Sequence, residues 1–593
     1  MYERSGNLIK AKFREYLLPT MLTSLAVSMA SVVDGMIVGS LLGDTALAAI
    51  GLAGPVIFCI NLLYMLFGVG GLTCASIAQG RRDSKQADLI FTFTIIGGVT
   101  VMLLFTLVTQ LTLTPLSRML AGGDLALAKL TEQYLRPLVF TGPAMMFASG
   151  VSLFIRMDGK PRISAIIVII ANGVNLVLDY ILIRYTDRGI GGAGLSTTLG
   201  YVVSAAAVLP YLLSKKRSFN FTLPGKGSMK VLLTILKSGL PKAGMQICNI
   251  LRSLILNAII IRYLGSLGMS TMTICINVLM LFNIFSGGTA DTIVPIVGIL
   301  FGEKDYYGIR QAMKSARNML IVSCTVLLAF FLLFPQLIAK AFGIEDLQTL
   351  ETVSSALRLF ALLLPFDAAL QLLQSFYNTT GRRTLATAMV VMNGLVFVVL
   401  FAFVLVQLSP DLLWLSFACS AASSLGVALI LCRRLGRKEK IPGILLIRKE
   451  DERCIRYDIS VTADPEQAVG LANRILAIAE EKNVKTYMPA QLALAVEEMV
   501  RCTAHYAHSD SARGEIDIHA CITLTQIVIR FRDSGKPFHP TQYIPDPDDH
   551  FCTEHLDRIK EVAKSIEYTR PLGYNNTVLT FDRPKEGAMP LPE

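Results

Sequence analysis

Residues 16–44 read YLLPTMLTSLAVSMASVVDGMIVGSLLGD, and between Tyr16 and Leu42 the one charged side chain is Asp34. A helix needs ~20 apolar residues to cross the hydrocarbon of a bilayer. This stretch is long enough, so it predicts a membrane helix carrying a single carboxyl group. The pattern recurs down the chain. Of 593 residues, 53% are hydrophobic and 17% charged, and the charges lie largely between long apolar runs. Twelve such runs are centred on residues 16–38, 50–78, 89–113, 135–155, 163–183, 194–214, 232–262, 272–300, 317–340, 353–379, 384–408 and 411–432. Backbone groups find no solvent partner in lipid, so spans must be helices or a closed barrel. Runs this long and this continuously apolar exclude barrel strands.

Basic residues fall on alternate connections: Arg81, Arg82 and Lys85; Arg156, Lys160 and Arg162; Lys215, Lys216 and Arg217; Lys304, Arg310 and Lys314; Arg382 and Arg383. By the positive-inside rule these loops are cytoplasmic. Lys10, Lys12 and Arg14 before the first run and CRRLGRKEK after the last put both termini on that side. The expected location is the plasma membrane, as a multi-pass protein. The net charge of +11 mostly reflects this bias, so the basic excess does not imply nucleic-acid binding. No cleavable signal peptide is expected, because the first run leads directly into the polytopic pattern. The 11 cysteines show no CxxC or metal-ligand spacing, which fits free thiols packed as small apolar residues.

Helix breakers repeat in one register. Pro19 and Pro241, Gly43 and Gly265, Gly80 and Gly302, Pro143 and Pro365, and Gly159 and Gly381 are all 222 residues apart, and Asn172-Gly173 meets Asn393-Gly394 at 221. Two six-helix halves follow, 1–220 and 221–435. An even number of spans per half keeps both in one orientation, related by an axis along the membrane normal, with substrate expected between them.

The stretches VVDGMIVGSLLGDTALAAIGLAGPV, FGVGGLTCASIAQGRRDSKQAD, FIRMDGKPR and GIGGAGLSTTLG resemble the multidrug and toxic compound extrusion (MATE) transporters, over roughly residues 10 to 435. The resemblance implies a V-shaped pair of helix bundles that expels small organic substrates using a Na⁺ or H⁺ gradient, with no cofactor beyond the coupling ion.

A carboxylate at mid-span costs roughly 2.5–3.5 kcal/mol on insertion scales and therefore usually faces an interior or an aqueous path. Asp34 lies about 27 Å along the first span at 1.5 Å per residue, and Asp179 about 24 Å along the fifth, which leaves the same side. Asn175 stands four residues before Asp179, on the same helical face, and Thr197 opens the sixth span at comparable depth. The repeat supplies a control, because Asp34 and Asp179 correspond to Leu256 and Leu400. The fold accepts leucine at those places, so the acids point to a bound cation or an exchangeable proton. Oxygen ligands suit Na⁺, by extension of the rules for hard divalent cations. The family resemblance assigns the ion or proton site to Asp34, Asn175, Asp179 and Thr197. The blander alternative has Asp34 bonding only to Asn172 or Asn175. In the second half, Asp291 and Asp367 could face a cavity, pack between helices or pair with Arg252. Gly68, Gly70 and Gly71 are expected to permit close helix packing.

After a basic linker, 436–454, the composition becomes that of a soluble domain, 455–593. RYDISV reads as a strand, PEQAVGLANRILAIAEEKN and PAQLALAVEEMVRCTAHYA as amphipathic helices, and GEIDIHACIT and TQIVIRFRD as paired strands. The predicted fold is therefore a polytopic all-α membrane protein of twelve transmembrane helices plus a cytoplasmic α+β domain. LALAVEEMVRCTAHYA and IVIRFRDSGKPFHP resemble the histidine-kinase-like ATPase fold, in its anti-sigma-factor serine kinase branch. The resemblance assigns Glu498 as base and Asp533 with Gly535 to adenine. Cys502, however, stands where that family has a Mg²⁺-binding Asn, and a neutral thiol cannot replace a hard oxygen donor. The glycine-rich segment that would close over the phosphates is also missing. Serine-kinase catalysis is not expected; nucleotide binding and a scaffold that recruits a cytoplasmic protein partner both stay open. The overall expectation is a cation-coupled exporter with a regulatory appendage. The alternatives are a membrane sensor signalling through the appendage, and a lipid-linked precursor flippase.

Overall fold

The computed structural model describes residues 4–122, 124–186, 188–215, 217–223, 225, 228–341, 347–441, 443–447, 455–481, 488–508, 514–522, 526–542 and 551–582. Lys216 and residues 448–454 of the linker lie outside these. The chain forms two compact units, one of residues Phe13–Leu446 and one of Met1–Lys12 with Ile447–Glu593.

Twelve helices are long and apolar enough to cross a membrane. They are α1 (Asn7–Leu42), α2 (Ala48–Gly80), α3 (Ser84–Leu111), α4 (Leu125–Met157), α5 (Pro161–Tyr185), α6 (Ile190–Leu213), α7 (Ser228–Gly265), α8 (Leu267–Gly302), α9 (Tyr306–Leu333), α10 (Thr349–Thr379), α11 (Arg383–Leu408) and α12 (Pro410–Glu439). Several ends differ from the sequence reading, and two show the physical reasons. Helix α1 starts at Asn7, since the polar run NLIKAKFRE continues the helix before the apolar part begins. The ninth span stops at Leu333 and a separate short helix starts at Pro335, because proline has no N–H to continue the ladder.

The 222-residue repeat is written into the backbone. Asp83 caps α3 by accepting from the Gln86 amide at 3.0 Å, and Asp305 caps α9 by accepting from the Gly308 amide at 2.8 Å. Just before those caps, Arg82 and Lys304 both take left-handed backbone angles, φ 62° and 59°. Gly159 and Gly381 turn the chain at φ 82° and 81°, a region that glycine enters without penalty.

We call the end of the bundle where α1 and α7 begin the near end. There the halves are sealed along α2 and α8. A Cβ on Gly80 would strike the carbonyl of Ile299, and one on Gly302 would strike that of Ile77. Ile299 is the repeat partner of Ile77, so the contact is reciprocal, as a two-fold axis between the halves requires. Above this seam α1 and α7 are the least buried of the spans, at 11% and 17% of their apolar windows.

The second unit carries a five-stranded antiparallel sheet in the order β1-β2-β3-β5-β4, made of β1 (Ile455–Thr462), β2 (Glu515–Ile522), β3 (Gln526–Asp533), β4 (Ser565–Thr569) and β5 (Asn575–Asp582). Helices α13 (Pro465–Glu481), α14 (Met488–Cys502) and α15 (Phe551–Val562) complete it. Period-two alternation aims Ile459, Val461, Ile516, Ile518, Ile527, Ile529 and Phe531 into one apolar core with Leu471, Leu492, Val496 and Met499. The other face of β1 and β2 is polar and is covered by the start of the chain. Arg4 Nε pairs with Asp517 Oδ2 at 2.8 Å, both side chains 3% exposed. The Ser5 amide donates to Ser460 Oγ at 3.0 Å, and the Tyr574 hydroxyl donates to the Leu8 carbonyl at 2.7 Å. Among the described residues eight cysteines are free thiols, while Cys521 on β2 is disulfide-bonded, an exception to the packing as small apolar residues expected for nearly all of them.

Candidate ion-coupling site

Helices α5 and α6 approach closely where Gly200 faces α5. A Cβ on Gly200 would lie 3.2 Å from the Cβ of Asn175 and would press on the Ala171 carbonyl. That approach puts the polar face of α5 against the first turns of α6. Asn175 Nδ2 donates to Asp179 Oδ2 at 3.0 Å and to Thr197 Oγ1 at 3.2 Å, with Ser196 Oγ at 3.4 Å. The Ser196 hydroxyl donates to Asp179 Oδ1. Asp179 is fully buried, and the carboxyl of Asp34, from α1, faces it within hydrogen-bonding reach. Asp34 Oδ1 is buried without a hydrogen-bond partner.

Asp34 lies eight residues before the end of α1, Asp179 six before the end of α5, and Thr197 seven after the start of α6. All three are thus about 9–12 Å from the far ends of their helices at 1.5 Å per residue. The structure brings Asp34, Asn175, Asp179 and Thr197 together. It adds Ser196, which sequence reasoning missed; the signal was its place next to Thr197, one helical step nearer Asp179. Asn172 is not part of the cluster, since its amide donates to its own helix at the Val168 carbonyl, 2.8 Å away. The donors around the two carboxyls are all neutral: the Asn175 amide and the Ser196 and Thr197 hydroxyls. Among the described residues no group of three or more His, Cys, Asp or Glu side chains could hold a metal ion, so the cluster is not a transition-metal cage.

In the second half, Asp367 on α10 accepts from Gln371 Nε2 at 2.7 Å and from Asn393 Nδ2 at 3.1 Å, and Gln371 also donates to Asn283 Oδ1 at 2.9 Å. Asn393 sits in a π-helical turn of α11, Met392–Val396. Asp291 pairs with Lys242 at 3.0 Å, with both side chains part-exposed. Lys242 follows Pro241 in the segment that marked the repeat, whereas the sequence reading offered Arg252 as one possible partner. Among the described residues Arg252 makes no ion pair with either acid.

In the C-terminal unit the nucleotide-type residues are already engaged. Glu498, 3% exposed, accepts from His555 Nδ1 and, at 3.1 Å, from Arg558 Nη1, both on α15. Asp533 accepts from the Gly535 amide and from Asn575 Nδ2, each at 2.8 Å, with His508 Nε2 3.3 Å away. Gly535 lies so close to the Ala507 carbonyl that a Cβ would clash. Cys502 is fully buried in the apolar core and presents no oxygen at the place of a Mg²⁺ ligand. The described residues therefore do not fit a magnesium nucleotide.

The family model described as MatE matches the chain twice, over residues 19–181 and 241–404, and a model described as histidine kinase-like ATPase domain matches 461–564. The multidrug export protein MepA of Staphylococcus aureus (strain MSSA476) is 25% identical over 385 residues, 64% of this chain and 84% of that protein. MepA of Staphylococcus saprophyticus is 25% identical over 315 residues, 52% of this chain and 68% of that protein. A MOP superfamily transporter from Pyrococcus furiosus, described as having a binding pocket of reversed polarity, superposes with TM-score 0.67 at 23% identity, covering 74% of this chain and 97% of that one. An outward-facing multidrug resistance MATE family transporter of the MOP superfamily does so with TM-score 0.67 at 24% identity, covering 73% and 97%. These likenesses establish a shared fold for the membrane unit.

Proposed function

Because this chain belongs to the MatE family, we propose that it is a secondary exporter of small organic compounds, amphipathic or cationic, driven by inward movement of Na⁺ or H⁺. The observation that carries the reading is the carboxyl pair Asp34–Asp179 with Asn175, Ser196 and Thr197, set inside membrane-spanning helices. The repeat places Leu256 and Leu400 at the corresponding positions. An intramembrane ionisable cluster that the fold does not require is retained for function. Asp34 and Asp179 supply the charge, the Ser196 and Thr197 hydroxyls supply neutral oxygens, and Asn175 ties α5 to α6. A singly charged hard cation fits this donor set, as does a proton shared between the carboxyls.

In the proposed orientation both termini are cytoplasmic, as the positive-inside rule requires. The near-end seam is then a cytoplasmic seal, and the coupling cluster lies toward the outer face. The polar network at Asp367 and the Lys242–Asp291 pair are the places in the second half to line a substrate path. The C-terminal unit is a non-catalytic module, since its own side chains hold Glu498 and Asp533. In this reading the module has a regulatory influence on transport.

The test is efflux of a fluorescent organic cation from proteoliposomes under imposed Na⁺ or H⁺ gradients, comparing the intact protein with Asp34→Asn. Gradient-driven efflux that the substitution abolishes supports the reading and names the ion. Absence of efflux and of dye binding under both gradients refutes it, and brings the sensor and flippase alternatives forward.

A further inference from the structure

Where the two halves meet at the near end, a cavity of about 280 Å³ opens between them. Arg81 and Gln86, from the turn after α2 and the start of α3, line it from the first half. Lys230 and Thr234 of α7, Phe301 of α8 and Arg383 at the start of α11 line it from the second. Three cations thus converge on one concavity whose lining contains no acidic side chain. Among the described residues Arg81, Lys230 and Arg383 make no ion pair, and Arg383 Nε is buried with no hydrogen-bond partner. By contrast, the neighbouring Arg382 is neutralised by Glu439 at 2.6 Å. The cavity wall also includes the first residue of a 26-residue helix, whose N-terminal amides lack intrahelical partners and favour negative charge.

From these features we propose that this cavity is a phosphate-binding site that bridges the two halves, taking the phosphate group of an anionic lipid or of a soluble phosphate. The volume lies at the lower edge of the usual range of about 300–1,000 Å³ for drug-sized ligands and suits a compact anionic group. Guanidinium groups bind phosphate through paired N–H donors, and basic pockets between membrane helices are a known setting for lipid headgroups. Arg81 belongs to one half and Lys230 and Arg383 to the other, so the site is complete only while the seam at Gly80 and Gly302 is closed. A ligand that binds one of two states shifts the equilibrium toward it. Bound phosphate therefore holds the halves together at this end and slows reopening. The assignment does not depend on which way the chain is inserted.

The test uses the full-length protein purified in neutral detergent. Thermal unfolding is followed with added phosphatidylglycerol micelles, with inorganic phosphate, and with phosphatidylcholine as control. Phosphatidylglycerol alone raising the melting temperature identifies a lipid headgroup. A rise with inorganic phosphate identifies a free anion. Each result is expected to vanish in the triple variant Arg81→Gln/Lys230→Gln/Arg383→Gln, whose apparent affinity should fall on the order of a hundredfold if each cation contributes as basic residues near a membrane do. Lys230→Glu, a change at an exposed position that leaves packing intact, should weaken binding about tenfold on the same scale. Stabilisation by neither ligand, or equal stabilisation of wild type and Lys230→Glu, overturns the proposal.

Discussion

Replacing Gly302 with alanine adds one methyl at the place where α8 crosses α2. That methyl would lie 2.8 Å from both the Arg81 amide nitrogen and the Gly80 carbonyl carbon, and closer still to the Ile77 oxygen. All three are backbone atoms, so no side-chain rotation relieves the clash. Overpacking of this kind costs about 1–3 kcal/mol. The cost falls only on the arrangement in which the halves touch, so it shifts the equilibrium toward separation at this end by roughly 5- to 150-fold. Gly80→Ala meets Ile299 in the same way, its Cβ 2.8 Å from the carbonyl carbon, and should behave alike because the contact is reciprocal. The double variant should fall short of the sum, since the two methyls share neighbours and one separation relieves both. Cys74 provides the readout. It is 7% exposed and its sulfur lies 3.0 Å from Ser238 Oγ across the seam. Its alkylation by a hydrophilic maleimide, resolved by peptide mass spectrometry, should accelerate in each single variant, while the fully buried Cys275 stays unreactive as a folding control. A wild-type rate at Cys74 in both variants, with Cys275 protected, would refute the claim that this seam controls access.

Four further outcomes are expected. Asp179→Asn should abolish gradient-driven efflux while the protein stays folded, whereas Asn172→Ala should leave coupling intact because Asn172 bonds only within its own helix; proteoliposome transport measures both. Arg4→Ala leaves the buried Asp517 carboxylate with its Ser460 hydrogen bond and without its ion-pair partner, so the C-terminal unit should lose about 3–5 kcal/mol, and the apolar double replacement Arg4→Met/Asp517→Leu should recover most of it, read as hydrogen-exchange protection of β1 and β2. Magnesium ATP should give no saturable heat with the intact protein in titration calorimetry, because Glu498 and Asp533 are already bonded; saturable binding lost in Asp533→Asn would contradict this. At Asp158, in the turn between α4 and α5, burial pushes the carboxyl above its ordinary value, and the Ser218 hydroxyl, the largest of the opposing influences, pulls it down. The stability tied to its protonated form is present below the ordinary carboxylate value and is lost as pH rises through the raised one. Asp158→Asn should therefore raise the melting temperature at neutral pH and much less in acid.

The membrane architecture is legible in the sequence because lipid imposes one rule, a long apolar helix, and the 222-residue spacing of Pro and Gly marks where the rule repeats. Helix ends are less legible, as at Asn7 and Leu333, because a span can continue into polar residues and a proline can split one apolar run into two. The site was half legible. Carboxylates in apolar runs announce Asp34 and Asp179, and the depth estimate brings Asn175 and Thr197 level with them. Ser196 escaped because small hydroxyl side chains are common on packed helices and carry no signal alone. The Lys242–Asp291 pair escaped because contact between α7 and α8 depends on how the helices rotate. The cover that residues 4–12 give the polar face of β1 and β2 joins the two ends of the chain, and no local pattern encodes a contact over more than 500 residues.

The most direct test of coupling at the carboxyl pair measures affinity rather than flux. Dye binding to the purified protein is titrated at several Na⁺ concentrations and pH values, in wild type and Asp34→Asn. Antiport requires the coupling ion to weaken dye binding, and linkage requires the dye to weaken ion binding by the same factor. The account predicts that Na⁺ or protons lower dye affinity in wild type and that Asp34→Asn binds dye with no such dependence. Equal ion dependence in both proteins would contradict it.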